Sequence, residues 1–71
     1  PKKIPLTMKE KQIYLVESMP GIGPTIARSL LKEFKTIKNI ANATEEELTK
    51  VDKIGKIKAK EIRKLFDENH E

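Results

Sequence analysis

Two short glycine-bearing stretches hold the residues of this chain that can do chemistry with a ligand. Gly21, Ile22 and Gly23 lie within Met19-Pro-Gly-Ile-Gly-Pro-Thr25, and Ile54 and Gly55 within Val51-Asp-Lys-Ile-Gly-Lys-Ile57. A Gly-apolar-Gly turn that opens a helix leaves backbone N–H groups facing outward, unobstructed by side chains, at the positive end of the helix dipole. The chemistry this suits is anion binding, phosphate above all. An isolated turn of this kind needs no ligand, because glycines also simply make tight turns. Three features favour a ligand here: the turn occurs twice, the second copy is ringed by Lys53, Lys56, Lys58 and Lys60, and each final glycine is followed at the same distance by an alanine, Ala27 or Ala59. The apolar residue of each turn, Ile22 or Ile54, points back as an anchor.

The elements that must hold the two turns side by side are helical. Pro1-Lys-Lys-Ile-Pro-Leu6, with two prolines, reads as an extended lead-in or linker end. Thr7 with Glu10 forms a capping box that opens a helix, whose apolar residues Met8, Ile13, Leu15, Val16 and Met19 make one broad stripe. Pro20 and Gly21 end it. Pro24 suits the first turn of the next helix, followed by the stripe Ile26, Ala27, Leu30, Leu31 and Phe34. Ala27 is small where that helix must approach its partner closely. Lys35 then stands where glycine would be the comfortable left-handed cap, at a cost of about 1 kcal/mol if it adopts that conformation.

Ile37, Ile40 and Ala41 predict a short connector helix over residues 36–43. Thr44 with Glu47 is a second capping box, and Glu45, Glu46 and Glu47 all favour a helix N-terminus. That helix is short, anchored by Leu48 and Val51. The last helix is expected from about Ile57 to Phe66, with Ala59, Ile62, Leu65 and Phe66 inward, before a polar tail over 67–71 that frays. A shift of 32 residues pairs Val16 with Leu48, Met19 with Val51, Ile22 with Ile54, Gly23 with Gly55, Ala27 with Ala59, Leu30 with Ile62 and Phe34 with Phe66. So many matches in register read as an internal duplication.

The 71 residues suffice for one domain with a thin core, and 37% apolar with 37% charged residues suits a solvated helical domain better than disorder. The net charge of +4 is uneven: +3 over residues 1–14, zero over 15–50, +4 over 51–66 and −3 over 67–71. A local excess beside the second turn is what phosphate binding needs, although a solvated face of a Lys/Glu-rich protein has the same composition. With no cysteine there is neither a disulfide nor a thiolate metal site, and no apolar run reaches the ~18 residues of a membrane span. With no signal-peptide pattern either, the expected location is cytoplasmic. A start at Pro1 without an initiator methionine points to a segment of a longer protein.

The pattern is a familiar one. Leu15-Val-Glu-Ser-Met-Pro-Gly-Ile-Gly-Pro-Thr-Ile-Ala27 resembles the helix-hairpin-helix motif of DNA-repair proteins, and Val51-Asp-Lys-Ile-Gly-Lys-Ile-Lys-Ala59 resembles a second copy. The tandem arrangement is similar to a (HhH)2 domain: all-α, five helices, with a pseudo-two-fold internal repeat. Its first motif would span residues 7–34, its connector helix 36–43 and its second motif 44–66. Glu17-Ser-Met-Pro-Gly-Ile-Gly-Pro24, Asn42-Ala-Thr-Glu-Glu-Glu-Leu48 and Lys58-Ala-Lys-Glu-Ile62 are similar to the C-terminal domain of the XPF family, most like its archaeal Hef helicase–nuclease branch.

The resemblance implies a module of a structure-specific nuclease–helicase that binds forked or branched DNA and helps two subunits pair. By motif position Gly21, Ile22 and Gly23, with Thr25 and Arg28 alongside, would meet one strand, and Ile54, Gly55, Lys56 and Lys58 the other. Lys53 departs from the pattern, standing where the motif has its first glycine; the second hairpin is then strained or reshaped, or Lys53 adds a phosphate contact. Nothing matches the family's acidic nuclease motif, so no catalytic residue, metal or cofactor is expected.

Other chemistries fit less well. His70 lies in the tail, and capping accounts for Glu45, Glu46 and Glu47. Some helix-hairpin-helix glycosylases use a hairpin lysine for Schiff-base chemistry, so Lys56 and Lys58 call for one test, in which borohydride trapping on abasic DNA is expected to fail. The serious rival is a homodimerisation or protein-interaction module with little DNA affinity of its own. Tyr14, Leu65 and Phe66 would form its seam, unless Phe66 packs inside its own domain as Phe34 should.

Overall fold

A computed structural model describes Ile4 and residues 7–71, so the expected lead-in lies, Ile4 apart, outside the described residues. Five helices follow in order: α1 (Met8–Glu17), α2 (Pro24–Phe34), α3 (Ile37–Asn42), α4 (Glu45–Leu48) and α5 (Lys56–Asp67). Among the described residues there is no strand. α1 packs on α2 and α4 on α5, each pair joined by one hairpin, while α3 follows α2 and packs against it. The thin dimension of the domain is 20 Å, two helix diameters.

Local chemistry accounts for the helix starts. The Thr7 hydroxyl accepts the Glu10 N–H while the Glu10 carboxylate accepts the Thr7 N–H, and Thr44 with Glu47 repeats the arrangement at α4. Thr36 caps α3 by accepting the Asn39 N–H at 3.0 Å. The turn between α2 and α3 is sharper than a left-handed cap. Lys35 has φ +73° and ψ −39°, and the Thr36 N–H donates to the Phe34 carbonyl at 2.9 Å, which is the rare γ-turn centred on Lys35. The Asn39 side chain donates to the same carbonyl at 2.7 Å and holds the turn closed.

The core is wholly apolar, with Leu30, Ile40 and Leu48 as its largest fully buried side chains. They come from α2, α3 and α4, so the connector is as much a part of the core as the two motifs. Ala27 and Ala59 are both 0% exposed, each methyl group enclosed in the core at the same position of its motif.

Two expected stripes are narrower than the spacing implied. On α1, Val16 is buried and Ile13 is packed against the core, while Met8 and Leu15 are 66% and 55% exposed. Met8 and Leu15 are two turns apart on one face, and that face lies about 100° round the helix from Val16. On α5, Ala59 and Ile62 are buried, but Leu65 and Phe66, expected inward, are 53% and 38% exposed. The equivalent turn of α2 is covered because the γ-turn at Lys35 folds α3 back beside it. Among the described residues α5 is followed by extended chain from Glu68, and no helix folds back beside its last turn.

Candidate nucleic-acid interface

The two hairpins have nearly the same backbone. In the first, the Met19 N–H donates to Val16 (3.2 Å), Ile22 to Met19 (3.0 Å) and Ala27 to Gly23 (2.9 Å). In the second, Val51 donates to Leu48 (3.1 Å), Ile54 to Val51 (3.1 Å) and Ala59 to Gly55 (2.9 Å). The helix-opening glycines agree within a few degrees: Gly23 at φ −93°, ψ −177° and Gly55 at φ −89°, ψ −174°. Lys53 adopts φ +70° beside the +78° of Gly21. The second hairpin is therefore not reshaped by its missing glycine. The lysine takes the left-handed conformation at a cost of about 1 kcal/mol. Burying the following isoleucine compels it: Ile22 and Ile54 are 4% and 3% exposed, each fastened under its turn.

Neither helix start is closed by a side chain. Gly55, Lys56, Ile57 and Lys58 open α5 with N–H groups that donate to nothing among the described residues, the ordinary condition of a first helical turn. At α2 the same positions are Gly23, Pro24, Thr25 and Ile26, and Pro24 has no N–H to offer. The second hairpin thus has the fuller set of amides as well as more cations.

Lys58 joins the two. A methyl group placed on Gly21 would lie 3.6 Å from the Lys58 Cε, so this side chain runs from the second motif to the first hairpin. The reason lies in its register: Lys58 takes the place of Ile26 in the repeat and precedes Ile62 by one helical turn, at the edge of the buried face. Its aliphatic stem packs half-buried there, and its ammonium emerges beside the turn of the other motif. Lys58, expected with the second strand, lines a shallow groove between the hairpins, with Pro20 and Gly21 on one side and Gly55, Lys56 and Glu61 on the other.

The remaining expected contact residues, Thr25, Arg28, Lys53 and Lys56, are all exposed. Lys32 shares a depression with Glu33, Lys35, Lys50 and Asp52 at the entry to the second hairpin. Arg63 was not legible as a structural residue. Its guanidinium donates to the carbonyls of Ala41 and Ala43 (3.0 Å for the second), which closes the C-terminal end of α3, and pairs with Asp67 at 2.5 Å. It also stacks over Phe66, 5.9 Å from the ring centroid. Its one sequence signal is the i,i+4 spacing to Asp67. Part of the positive excess over residues 51–66 is thereby used inside the domain.

Among the expected dimer residues, Leu65 and Phe66 meet Leu15 along an apolar groove floored by Val16 and Ile40. Tyr14 is 44% exposed one residue earlier on α1, and Leu15, read as core in the sequence, is the α1 residue that lines this groove. Glu45, Glu46 and Glu47 sit exposed in the first turn of α4, and among the described residues no group of His, Cys, Asp or Glu is placed to hold a metal ion. No described helix is long and apolar enough to cross a membrane.

Known proteins share this architecture. The model of the helix-hairpin-helix motif family matches residues 13–71. The Methanocaldococcus jannaschii protein named as ATP-dependent RNA helicase MJ1505 is 45% identical over 69 residues, covering 97% of this chain and 9% of that protein. The 3′-flap repair endonuclease Xpf of Saccharolobus solfataricus is 42% identical over 60 residues, covering 84% of this chain and 25% of its own length. The structure of XPF from Aeropyrum pernix superposes with a TM-score of 0.90 at 33% identity, over 100% of this chain and 34% of that one. Its complex with DNA superposes at 0.82 and 34% identity, over 86% of this chain and 30% of that one. This chain therefore spans a quarter or less of the curated relatives it matches. The chain belongs to the helix-hairpin-helix family, as a tandem (HhH)2 domain of the XPF type.

Proposed function

We propose that this domain binds DNA by its sugar–phosphate backbone, without reading base sequence, as the non-catalytic binding module of a nuclease–helicase that acts on forked or branched DNA. The observation that carries this reading is the pairing of two near-identical hairpins across one groove, with unused amides at both helix starts and Lys58 between them. Two phosphate-binding turns related by a pseudo-two-fold axis suit the two strands of a duplex, and such contacts fix position without reading sequence. The solved DNA complex of the Aeropyrum pernix relative supports it. Gly21, Gly23, Thr25 and Arg28 serve one strand and Gly55, Lys53 and Lys56 the other, with Lys58 supplying charge to the first hairpin. Ile22 and Ile54 act from beneath by holding each turn in shape.

The test is a chemical-shift titration with a fork and a plain duplex of equal length, repeated over a salt series. Amide shifts concentrated in both hairpins, with a log–log salt slope of about −0.9 per neutralised phosphate, are expected. Shifts spread evenly over the lysines of every helix would reduce the reading to non-specific attraction.

Homodimerisation is the second reading, favoured by the groove of Leu15, Leu65 and Phe66. Burying these side chains against a second copy would close the last turn of α5, where Leu65 and Phe66 are exposed. Light scattering across a concentration series decides it: a monomer at high concentration would sink it.

A further inference from the structure

Ile57 is 84% exposed in the first turn of α5, an apolar β-branched side chain set outward where a domain this small can least spare one. A single exposed isoleucine is ordinary. Its surroundings are not. Ile57 borders two depressions: the inter-hairpin groove, which it lines with Lys56, Lys58 and Glu61, and a second hollow, which it lines with Lys56 and Lys60 on its own helix and Glu45 and Glu46 of α4. Three lysines therefore flank one hydrophobic blade. The corresponding residue of the first motif is Thr25, so the apolar character belongs to the second hairpin alone.

Resting on the DNA-backbone reading, we infer that Ile57 is an apolar wedge that contacts unstacked or unpaired nucleotides between phosphates held on either side. With lysines on both flanks, a strand whose phosphates straddle the blade would turn its sugars and bases towards Ile57. On an intact duplex those bases are stacked and withheld. At a fork, flap or kink they are available, and apolar side chains such as isoleucine enter there at the cost of unstacking. The residue thereby turns a sequence-blind phosphate grip into one that favours distorted DNA. It acts by shape and needs no hydrogen bond to any base.

Because Ile57 is so exposed, replacing it leaves the core untouched. Fluorescence anisotropy would compare the wild-type domain with Ile57→Ala and Ile57→Thr on a fork and on a plain duplex of equal length, at two salt concentrations. Both variants should lose roughly three- to tenfold in fork affinity, the effect of exposing part of an isoleucine. Duplex affinity and salt slope should stay unchanged. A 2-aminopurine beside the junction should brighten with wild type and not with the variants. Equal affinity of wild type for fork and duplex, an equal loss on both substrates, or a shift in oligomeric mass with DNA binding intact would each overturn the wedge. None of these touches the phosphate grip, whereas absence of salt-dependent binding by the wild type would remove both.

Discussion

The two hairpins differ where their backbones agree. Both make the same turn, yet the first reaches it with Gly21 and the second with Lys53 at φ +70°. The first begins its helix with Pro24 and so offers fewer amides; the second begins with Lys56 and offers a full set. The repeat therefore conserves shape through its buried anchors and spends its differences on the surface. A left-handed lysine costs about 1 kcal/mol that glycine would avoid. Its presence beside Lys56 places charge above stability at this turn. The same contrast holds at the far ends of the motifs, where α3 covers the last turn of α2 and no described helix covers that of α5.

The largest expected effects test whether the anchors are equivalent. Ile22→Ala and Ile54→Ala should each cost about 2–5 kcal/mol, measured by denaturant unfolding, because each leaves a cavity under its turn. Total stability for this size is about 4–10 kcal/mol, so the Ile→Val pair, at about 1 kcal/mol each, gives a second measurement. Clearly unequal losses would break the comparison.

Lys56→Ala and Lys58→Ala come next. Each should weaken DNA binding on all sequences and flatten the salt slope by about one unit. Lys58→Ala should also abolish the shifts at Gly21 on titration, which would sharpen its assignment to the first hairpin. Lys38→Ala, on the exposed side of α3, is the control; an equal loss there would contradict a localised site.

Lys53→Gly should stabilise the domain by about 1 kcal/mol and weaken DNA binding, and Gly21→Lys should destabilise it by a similar amount. A methyl group at Gly21 meets only the end of a flexible lysine at ordinary contact distance, so the penalty is one of φ and not of space.

The smallest effect concerns the cap of the second motif. The Glu47 carboxylate accepts from the Thr44 N–H and hydroxyl, which favours its charged form and holds its pKa below the ordinary 4.5. A carboxylate with a lowered folded pKa adds stability above its unfolded pKa and loses it as pH falls through the folded value. Thermal melts from pH 6 to pH 2 should show Glu47→Gln less stable at the upper end, with the gap to wild type closing in acid. A gap independent of pH would show that the cap works without its charge.

Much of the fold was legible because its signals are local. Thr7 with Glu10, Thr44 with Glu47, Pro24, and the glycines of both turns act within four residues of themselves, and the duplication is visible in any self-comparison. Misreadings fall where a helix face depends on its neighbours. Leu15 and Leu65 have core-like spacing, yet they border an open groove and stay half exposed. Phe66 matches Phe34 in the repeat, but only Phe34 has a helix folded back beside it. Arg63 looks like one more surface cation until the end of α3 lies next to it.

What the sequence by itself determined is the pair of turns: glycine and buried isoleucine at fixed spacing admit few backbone paths, and a lysine can be forced onto one of them. What only the tertiary structure decided is how those turns relate. Lys58 reaching the turn of the other motif, Ile57 standing between two hollows and the exposed last turn of α5 all depend on helices from distant parts of the chain coming together. Periodicity names the face of a helix, and only packing supplies the surface it meets.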